Sequence, residues 1–278
     1  MYYKYVSCET LEKILTNKTI LFNNPVNFND PFDCCFPGLS PHYRSKIEKV
    51  IKKTIKHNKH IPKKNQGLDK EINNLALEIT KELKNLLNVL KNDWDGFISE
   101  FRILCLTKDN DNLLLWSHYA DSHKGVVLGL NIDESIMKPV KVQYCTHDKR
   151  IEAISEQLIS KLIEIELQNE FNSKNIEINE NPFAEIFLKT LLSYFFIKRN
   201  EWSYEKEFRI VLKSDSKLVT NDCIPLDSKL LKTVIYGIKF ENAELQEKLK
   251  SQFPNIEEYT VEKNDDELCI NPLTPAST

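Results

Sequence analysis

The sequence of 278 residues contains only six glycines, and none of them belongs to a Gly-rich phosphate-binding loop. It also lacks a run of the roughly 20 apolar residues that a membrane-spanning helix needs. The first residues, MYYKYVSCETLEK, do not show the basic and then apolar order of a secretory signal. We therefore expect a cytoplasmic protein without a membrane partner.

Cysteine and histidine patterns exclude two further classes of protein. The seven cysteines are odd in number and scattered, and no C-x-x-C pair or closely spaced Cys and His quartet occurs. We therefore expect reduced thiols rather than a disulfide framework. Because a tetrahedral zinc site normally shows such spacing, we also expect no metal.

Charge is segregated along the chain, although the net charge is only −3. Residues 41–64 hold nine Lys and Arg against one Glu, a local charge of +8 that leaves −11 for the rest. Apolar residues recur there at helical spacing from Ile47 to Ile55, which predicts an amphipathic helix with a cationic outer face. That face could attract phosphates of a nucleotide, a nucleic acid or an acidic partner, or simply be solvated. The candidate acceptor-binding residues are Lys52, Lys53 and Lys56.

Hydrophobic periodicity predicts both strands and helices. Strands are predicted at residues 2–6, 19–22, 102–107, 124–130, 140–145, 207–212, 218–224, 231–236 and 256–261. Helices are predicted at residues 9–16, 68–90, 112–120, 150–170, 183–197 and 243–253, and the chain from Glu262 onward is expected to fray. This order favours one α+β domain over residues 1–278, with a mixed or antiparallel sheet and helical insertions at about 40–98 and 148–200.

The first distinctive motif is Asn29-Asp30-Pro31-Phe32, in a turn-rich stretch. Asn, Asp and Pro set turns through local side-chain hydrogen bonds and a fixed φ. The motif is either a structural turn or a loop over a ligand pocket. In the second case Phe32 would pack on a ring, and Asn29 or Asp30 would bond to it.

The second motif, Trp116-Ser117-His118-Tyr119, falls in a predicted short helix. Trp116 and Tyr119 are three residues apart and share a helix face. An aromatic pair beside a hydroxyl can hold a flat ring such as nicotinamide or a nucleobase, and His118 adds a group that titrates near neutral pH. The alternative is a core helix with both large rings buried and His118 exposed.

The third motif runs from Trp202 to Arg209 and carries two glutamates. Period-two alternation predicts Glu205, Glu207 and Arg209 on one strand face, opposite Phe208. Paired carboxylates suit reactions that pass through an oxocarbenium-like cation at a sugar C1, since one anion stabilises the charge and another acts as general base. A surface ladder of ion pairs is the other interpretation.

Together the motifs resemble a bacterial family grouped as domain of unknown function 2971. The resemblance rests on Tyr3-Lys4-Tyr5, Leu11 to Phe22 with the Asn29 motif, Trp116 to Ala120 followed by Gly125, and Trp202 to Arg209. It covers residues 2 to about 240, and the family name implies no activity.

A second, weaker resemblance is to the ADP-ribosyltransferase fold. Enzymes of that fold open with a strand, a short helix and another strand, contribute a Ser or Tyr from a middle element, and carry a Glu-x-Glu pair on a late strand. Here Glu205 and Glu207 are similar to that pair, and Tyr119 or Ser117 matches the middle element.

The second resemblance implies a split sheet and NAD as substrate. Glu207 would stabilise the oxocarbenium and Glu205 would orient an acceptor, such as a nucleic acid or a protein. The implied NAD contacts are Tyr3, Tyr5, Asn29, Asp30, Phe32, Trp116, Ser117, His118 and Arg209. The first strand departs from the fold's pattern, because Tyr3, Lys4 or Tyr5 stands where a His or Arg is usual.

Three functions stay open at this point. The first is NAD-dependent ADP-ribosyl transfer or NAD cleavage, as in a toxin-like or phage-defence effector, and it predicts that Glu207, Tyr119 and the first strand meet in one cleft. The second is nucleotide or nucleic-acid binding or processing by the basic segment, and it predicts salt-sensitive binding. The third is a non-catalytic interaction protein, in which Glu207 and Tyr119 lie far apart or in separate buried ion pairs.

Overall fold

A computed structural model describes residues 1–36, 91–146, 191–265 and 267–273, together with scattered positions between 49 and 89 and Leu188. The chain divides into two compact units. The first combines residues 1–29, 98–142 and 201–278, and the second combines 30–97 and 143–200. The predicted helical insertions fall largely within the ranges of the second unit, and the single-domain organisation stays a prediction.

The first unit is built on an eight-stranded sheet in the order β12-β11-β10-β4-β1-β3-β8-β5. Its strands are β1 (Tyr2–Val6), β3 (Phe101–Thr107), β4 (Val126–Leu130), β5 (Val140–Lys141), β8 (Glu207–Lys213), β10 (Leu231–Tyr236), β11 (Glu257–Asn264) and β12 (Glu267–Pro272). The β10–β11 pair is parallel and the other pairs are antiparallel. The α+β class with a large mixed sheet is therefore confirmed.

Short helices and two small sheets complete the described elements. The α-helices are α1 (Cys8–Asn17), α2 (Trp94–Ser99), α3 (Leu113–Tyr119) and α4 (Ala243–Gln252). Strands β2 (Thr19–Leu21) and β9 (Cys223–Pro225) pair in the first unit, and β6 (Gln143–Cys145) and β7 (Ile197–Arg199) pair in the second. Turns of 3₁₀ helix cover Pro25–Asn27, Tyr194–Phe196 and Asn200–Glu205. Within the described ranges, no helix has the length and apolar character needed to cross a bilayer.

The two faces of the large sheet bury separate clusters. On one face, residues of β1, β3, β4 and β10 pack with apolar side chains of α1 and α4, including Leu11, Leu15 and Leu249, none of which is exposed. On the other face, Trp116 and Leu115 of α3 pack against β1, β4 and β10. Because successive residues of a strand point to opposite faces, β1 contributes to both clusters.

Several predicted elements differ from the structure. The prediction that the chain frays from Glu262 is wrong for the described residues up to Pro272, because β11 continues to Asn264 and pairs with β12. The predicted strand at 218–224 is mostly turn, since Thr220 and Cys223 bond to each other across it. The predicted strand at 140–145 is divided between β5 and β6, which belong to different sheets.

The predicted helix at 183–197 also ends earlier than expected. Its last residues form a 3₁₀ turn at Tyr194–Phe196 and then strand β7. An apolar run that is buried on every side does not distinguish helix from strand by periodicity. The scattered described positions between 70 and 89 are helical, as predicted for 68–90. The predicted helix at 150–170 and most of the basic segment lie outside the described residues.

Candidate functional site

Three side chains form a row across adjacent strands of the first unit. In the sheet register, Tyr3 of β1 pairs with Thr107 of β3, and Thr107 pairs with Glu207 of β8. Directly paired residues of antiparallel strands place their side chains on the same face, about 5 Å apart. Tyr3, Thr107 and Glu207 are therefore aligned on one face across three strands, and we call this alignment the Tyr3–Thr107–Glu207 row. The Tyr3 ring itself lies over Gly129 of β4.

The row lies where β1 and β3 begin to separate. Along these two strands, which the structure describes completely, Tyr3 and Thr107 are the paired residues. Four residues before Thr107 along β3, Ile103 pairs with Asn23 instead of with β1. Cys105, between Thr107 and Ile103, thus lies at the point where β3 changes partner.

Glu207 is held by a buried arginine. Arg209 Nε donates to Glu207 Oε1 at 2.8 Å and Arg209 Nη2 donates to Oε2 at 3.0 Å. Glu207 is 4% exposed and Arg209 is fully buried. The two residues share a strand face as the alternation predicted, while Phe208 and Ile210 pack on the opposite face. A bidentate arginine favours the ionised carboxylate and fixes its orientation.

Glu205 does not belong to that strand face, so the predicted three-residue strip is wrong. Glu205 ends the 3₁₀ helix Asn200–Glu205, and Lys206 has a left-handed φ of 45° before β8 begins. The left-handed residue interrupts the extended backbone, so period-two alternation starts only at Glu207. Glu205 is nevertheless buried, at 4% exposure, and accepts a hydrogen bond of 2.6 Å from the Tyr119 hydroxyl.

The aromatic residues of the second motif, Trp116, His118 and Tyr119, lie in different surroundings on helix α3. The indole of Trp116 has no exposed surface and contacts the Tyr5 ring edge-on, with centroids 5.3 Å apart. Tyr119 reaches Glu205, and exposed His118 lies 6.0 Å from the Tyr204 ring. Trp116 therefore packs inside the core in this structure, while Tyr119 and His118 lie toward the Glu205 turn.

Ser117 takes part in a separate contact at the end of α3. Its hydroxyl donates to the Leu113 carbonyl at 3.1 Å and lies 3.2 Å from Nε2 of His123. Burial and, secondarily, nearby Lys239 lower the pKa of His123. These contacts hold the end of the helix, and they do not join Ser117 to either glutamate.

The loop between β3 and α3 joins the first strand to the Glu205 turn. The Tyr5 hydroxyl donates to the Asp109 carbonyl at 3.0 Å and accepts from the Asn112 amide at 3.2 Å. The Asn112 side-chain amide donates to the Tyr204 carbonyl at 2.7 Å, and Lys206 pairs with Asp109 at 2.7 Å. The loop thus fixes the backbone just before Glu207.

Burial shifts the proton affinity of groups beside the row. Burial lowers the pKa of Lys4, and nearby Cys105 and Glu207 partly oppose that shift. Burial also raises the pKa of the Cys105 thiol well above its usual range, and the charge of Glu207 raises it further. Cys105 is therefore a protonated neighbour of Glu207 rather than a nucleophile.

The motif that begins at Asn29 is divided between the two units. Asn29 is exposed in the first unit, whereas Asp30 and Phe32 belong to the second. Asp30 Oδ1 accepts from the Phe32 amide at 2.9 Å, as in the turn predicted for this motif. The Phe32 ring lies 4.7 Å from the Arg199 guanidinium. Lys53 is exposed, and Lys52 and Lys56 lie outside the described residues.

Four polar residues in or beside the row were not selected from the sequence. They are Thr107, Cys105, Asp109 and Asn112. The alternation of β3 could have indicated the first two, because they are the polar residues on one face of an otherwise apolar strand. In the described part of the chain, no group of three or more His, Cys, Asp or Glu residues is placed to hold a metal ion.

Comparison with known proteins identifies one family. The model of the family described as Protein of unknown function (DUF2971) matches residues 115–210. This segment contains the Trp116 to Tyr119 motif, the Glu205 turn, Glu207 and Arg209, so the family resemblance is confirmed over these residues. No curated protein and no solved structure gives a significant match.

Proposed function

We propose that this chain cleaves NAD at the bond between ribose and nicotinamide and passes the ADP-ribose to an acceptor or to water. The observation that carries the proposal is the Tyr3–Thr107–Glu207 row. It combines a first strand, a middle-strand hydroxyl and a late-strand glutamate, the order of parts that the resemblance to ADP-ribosyltransferases implies. Here Thr107, rather than Tyr119 or Ser117, supplies the middle hydroxyl.

Glu207 would act as the fixed anion of the reaction. In the proposed reaction the ribose 2′-hydroxyl would donate to the Glu207 carboxylate, whose orientation Arg209 fixes. As the C1′–N bond breaks, its electron pair leaves with neutral nicotinamide, and the charge of Glu207 stabilises the cation that forms at C1′.

Glu205 would serve the incoming nucleophile. Its position one turn before the strand, rather than on the row, separates it from the residue that stabilises the cation. A lone pair of the acceptor attacks C1′ while Glu205 accepts the acceptor's proton. The hydrogen bond of 2.6 Å from Tyr119 orients this carboxylate. Lys52, Lys53 and Lys56 remain candidates for recruiting an anionic acceptor.

The test is nicotinamide release from NAD, followed by chromatography. We expect release by the wild-type protein and at least a hundredfold loss in Glu207→Gln, typical of removing an electrostatic stabiliser. Glu205→Gln should reduce transfer to an acceptor more than it reduces nicotinamide release. Exposed Glu12→Gln is the matched control and should behave as wild type.

The buried Glu207–Arg209 pair favours a second interpretation, a purely structural role. Removing one partner of a buried pair destabilises a protein by about 3–5 kcal/mol, so Glu207→Gln could lose activity through unfolding. Circular dichroism of that variant separates the two cases. If it unfolds, Thr107→Val provides the test of the row. A folded wild-type protein that releases no nicotinamide with any acceptor tried would contradict the proposal.

The same activity suggests a biological class. An NAD-consuming or acceptor-modifying enzyme of this kind fits a toxin-like or phage-defence effector in bacteria. Expression of the wild-type protein should lower cellular NAD or label a cellular acceptor, and Glu207→Gln should do neither.

A further inference from the structure

Asn112 makes two different kinds of hydrogen bond with one side chain. Its Oδ1 accepts from the amides of Leu114 and Leu115, at 3.1 and 3.2 Å, and so caps the N-terminus of α3. Its Nδ2 donates to the Tyr204 carbonyl at 2.7 Å. Because Oδ1 is occupied by two backbone donors, the hydrogen-bond pattern itself fixes which end of the amide faces Tyr204.

The two segments that Asn112 joins carry the two members of the Tyr119–Glu205 hydrogen bond. Tyr119 is the last residue of α3, and Glu205 directly follows Tyr204. A closed path therefore runs from Asn112 through the helix to Tyr119, across to Glu205, and back through Tyr204. Two bonds, at 2.7 and 2.6 Å, close this path at its opposite ends.

The turn around Glu205 contains one residue in a strained conformation and a long closing hydrogen bond. Lys206 adopts a left-handed φ of 45°, a conformation that costs a residue other than glycine about 1 kcal/mol or more. The turn's own closing bond, from the Lys206 amide to the Ser203 carbonyl, is long at 3.3 Å. The Lys206–Asp109 ion pair is largely exposed and contributes little. The bond from Asn112 to the Tyr204 carbonyl is both short and partly buried.

We propose that Asn112 is a positioning residue that sets Glu205 against Tyr119, in addition to capping α3. The role rests on the proposed function, in which Glu205 accepts the proton of the incoming nucleophile. Asn, Asp and Ser are comparable N-caps, so capping alone does not require an amide here. The hydrogen bond to the Tyr204 carbonyl does require an amide. A carboxylate has no proton to donate, and a serine side chain is too short to reach this carbonyl.

This difference allows the two roles to be separated by substitution. Asn112→Asp and Asn112→Ser retain the cap and remove the donor to Tyr204. Asn242 offers a matched control, because it caps α4 by accepting from the Leu245 amide at 3.0 Å. Asn242→Asp therefore makes the same chemical change at a cap of the same kind, away from Glu205.

Three quantities are measured for each variant: the melting temperature, the hydrogen exchange of amides 203–207, and the kcat and KM for NAD. We expect melting temperatures close to wild type in all three variants. Amides 203–207 should exchange about three- to tenfold faster in both Asn112 variants, as for the loss of one hydrogen bond, and should not change in Asn242→Asp. The kcat should fall in the Asn112 variants while KM changes little.

The outcomes distinguish positioning from the proposed reaction. Unchanged exchange at 203–207 in both Asn112 variants would overturn the positioning role, whatever the turnover. Faster exchange with unchanged kcat in an active protein would also overturn it. Faster exchange in a protein whose wild type cleaves no NAD would support the restraint of Glu205 by Asn112 and contradict the proposed reaction.

Discussion

Tyr119 donates its hydroxyl proton to Glu205 at 2.6 Å, whereas Arg209 donates to both carboxylate oxygens of Glu207. The bidentate guanidinium favours the ionised form of Glu207 and fixes its orientation. In the proposed function the two carboxylates have different roles, and the predictions below test them separately.

Replacement of Tyr119 by Phe should destabilise the protein by about 1–3 kcal/mol, because a buried carboxylate loses one donor. Urea unfolding measures the change. The matched control is Tyr259→Phe, which removes a hydroxyl bonded to Glu257 in an exposed position and should cost little. Equal small effects of the two substitutions would show that the Tyr119–Glu205 bond is not an organising contact.

Replacement of Thr107 by Val keeps the shape of the side chain and removes the hydroxyl from the row. Thr107 Oγ1 accepts from the Asp109 amide at 3.2 Å, so we expect a loss of stability of about 1 kcal/mol. We expect nicotinamide release to fall about tenfold or more, the equivalent of one lost hydrogen bond in the transition state. Thr107→Ser should restore most of the activity, and a fully active Thr107→Val would remove Thr107 from the site.

The sequence predicted the sheet better than the site. Strands such as β1, β8 and β10 are short, apolar and bounded by turn residues, so local pattern was enough to find them. Most of β11 was predicted, but its end was missed because residues such as Glu262 and Lys263 are charged, and β12 was missed with it. These residues are extended because the two strands pair with each other. The spacing of apolar residues along one segment does not indicate such pairing.

The site residues could not all be predicted from the spacing of residues along one segment. The alternation correctly paired Glu207 with Arg209, but it carried Glu205 onto the same face because nothing indicated a left-handed residue at Lys206. Thr107 was overlooked because its neighbour in the row, Glu207, is 100 residues away in the chain. Strand register, which brings them together, is a property of the folded sheet.

Stability at alkaline pH should report the burial of Lys4. Burial lowers its pKa, so between that lowered pKa and the ordinary value of about 10.4 the unfolded chain binds more protons than the folded protein. Lys4 therefore makes the free energy of unfolding increase with pH across this window. Lys4→Met has no group that titrates at this position. The free energy of unfolding of wild type minus that of Lys4→Met should therefore increase between pH 7 and pH 10.5 in reducing buffer. A constant difference across that range would contradict the burial of the ammonium.

The end of α1 offers an independent check on the backbone of the first unit. Lys18 follows the helix with a left-handed φ of 51°, and its amide bonds to the Ile14 carbonyl. Glycine adopts this conformation without the steric cost that a side chain incurs. Lys18→Gly should therefore raise the free energy of unfolding by about 0.5–1 kcal/mol, measured by urea titration. A clear loss of stability would show that the helix does not end in this way.

In the proposed function, the ribose of NAD lies against the Tyr3–Thr107–Glu207 row. Threonine methyl groups labelled with ¹³C allow NMR titration of the protein with NAD, with Glu207→Gln used to slow turnover. We predict that the Thr107 methyl signal shifts as NAD is added, while the signal of Thr10, exposed on α1, stays in place. If saturating NAD leaves the Thr107 signal unchanged in both proteins, the row is not the NAD site.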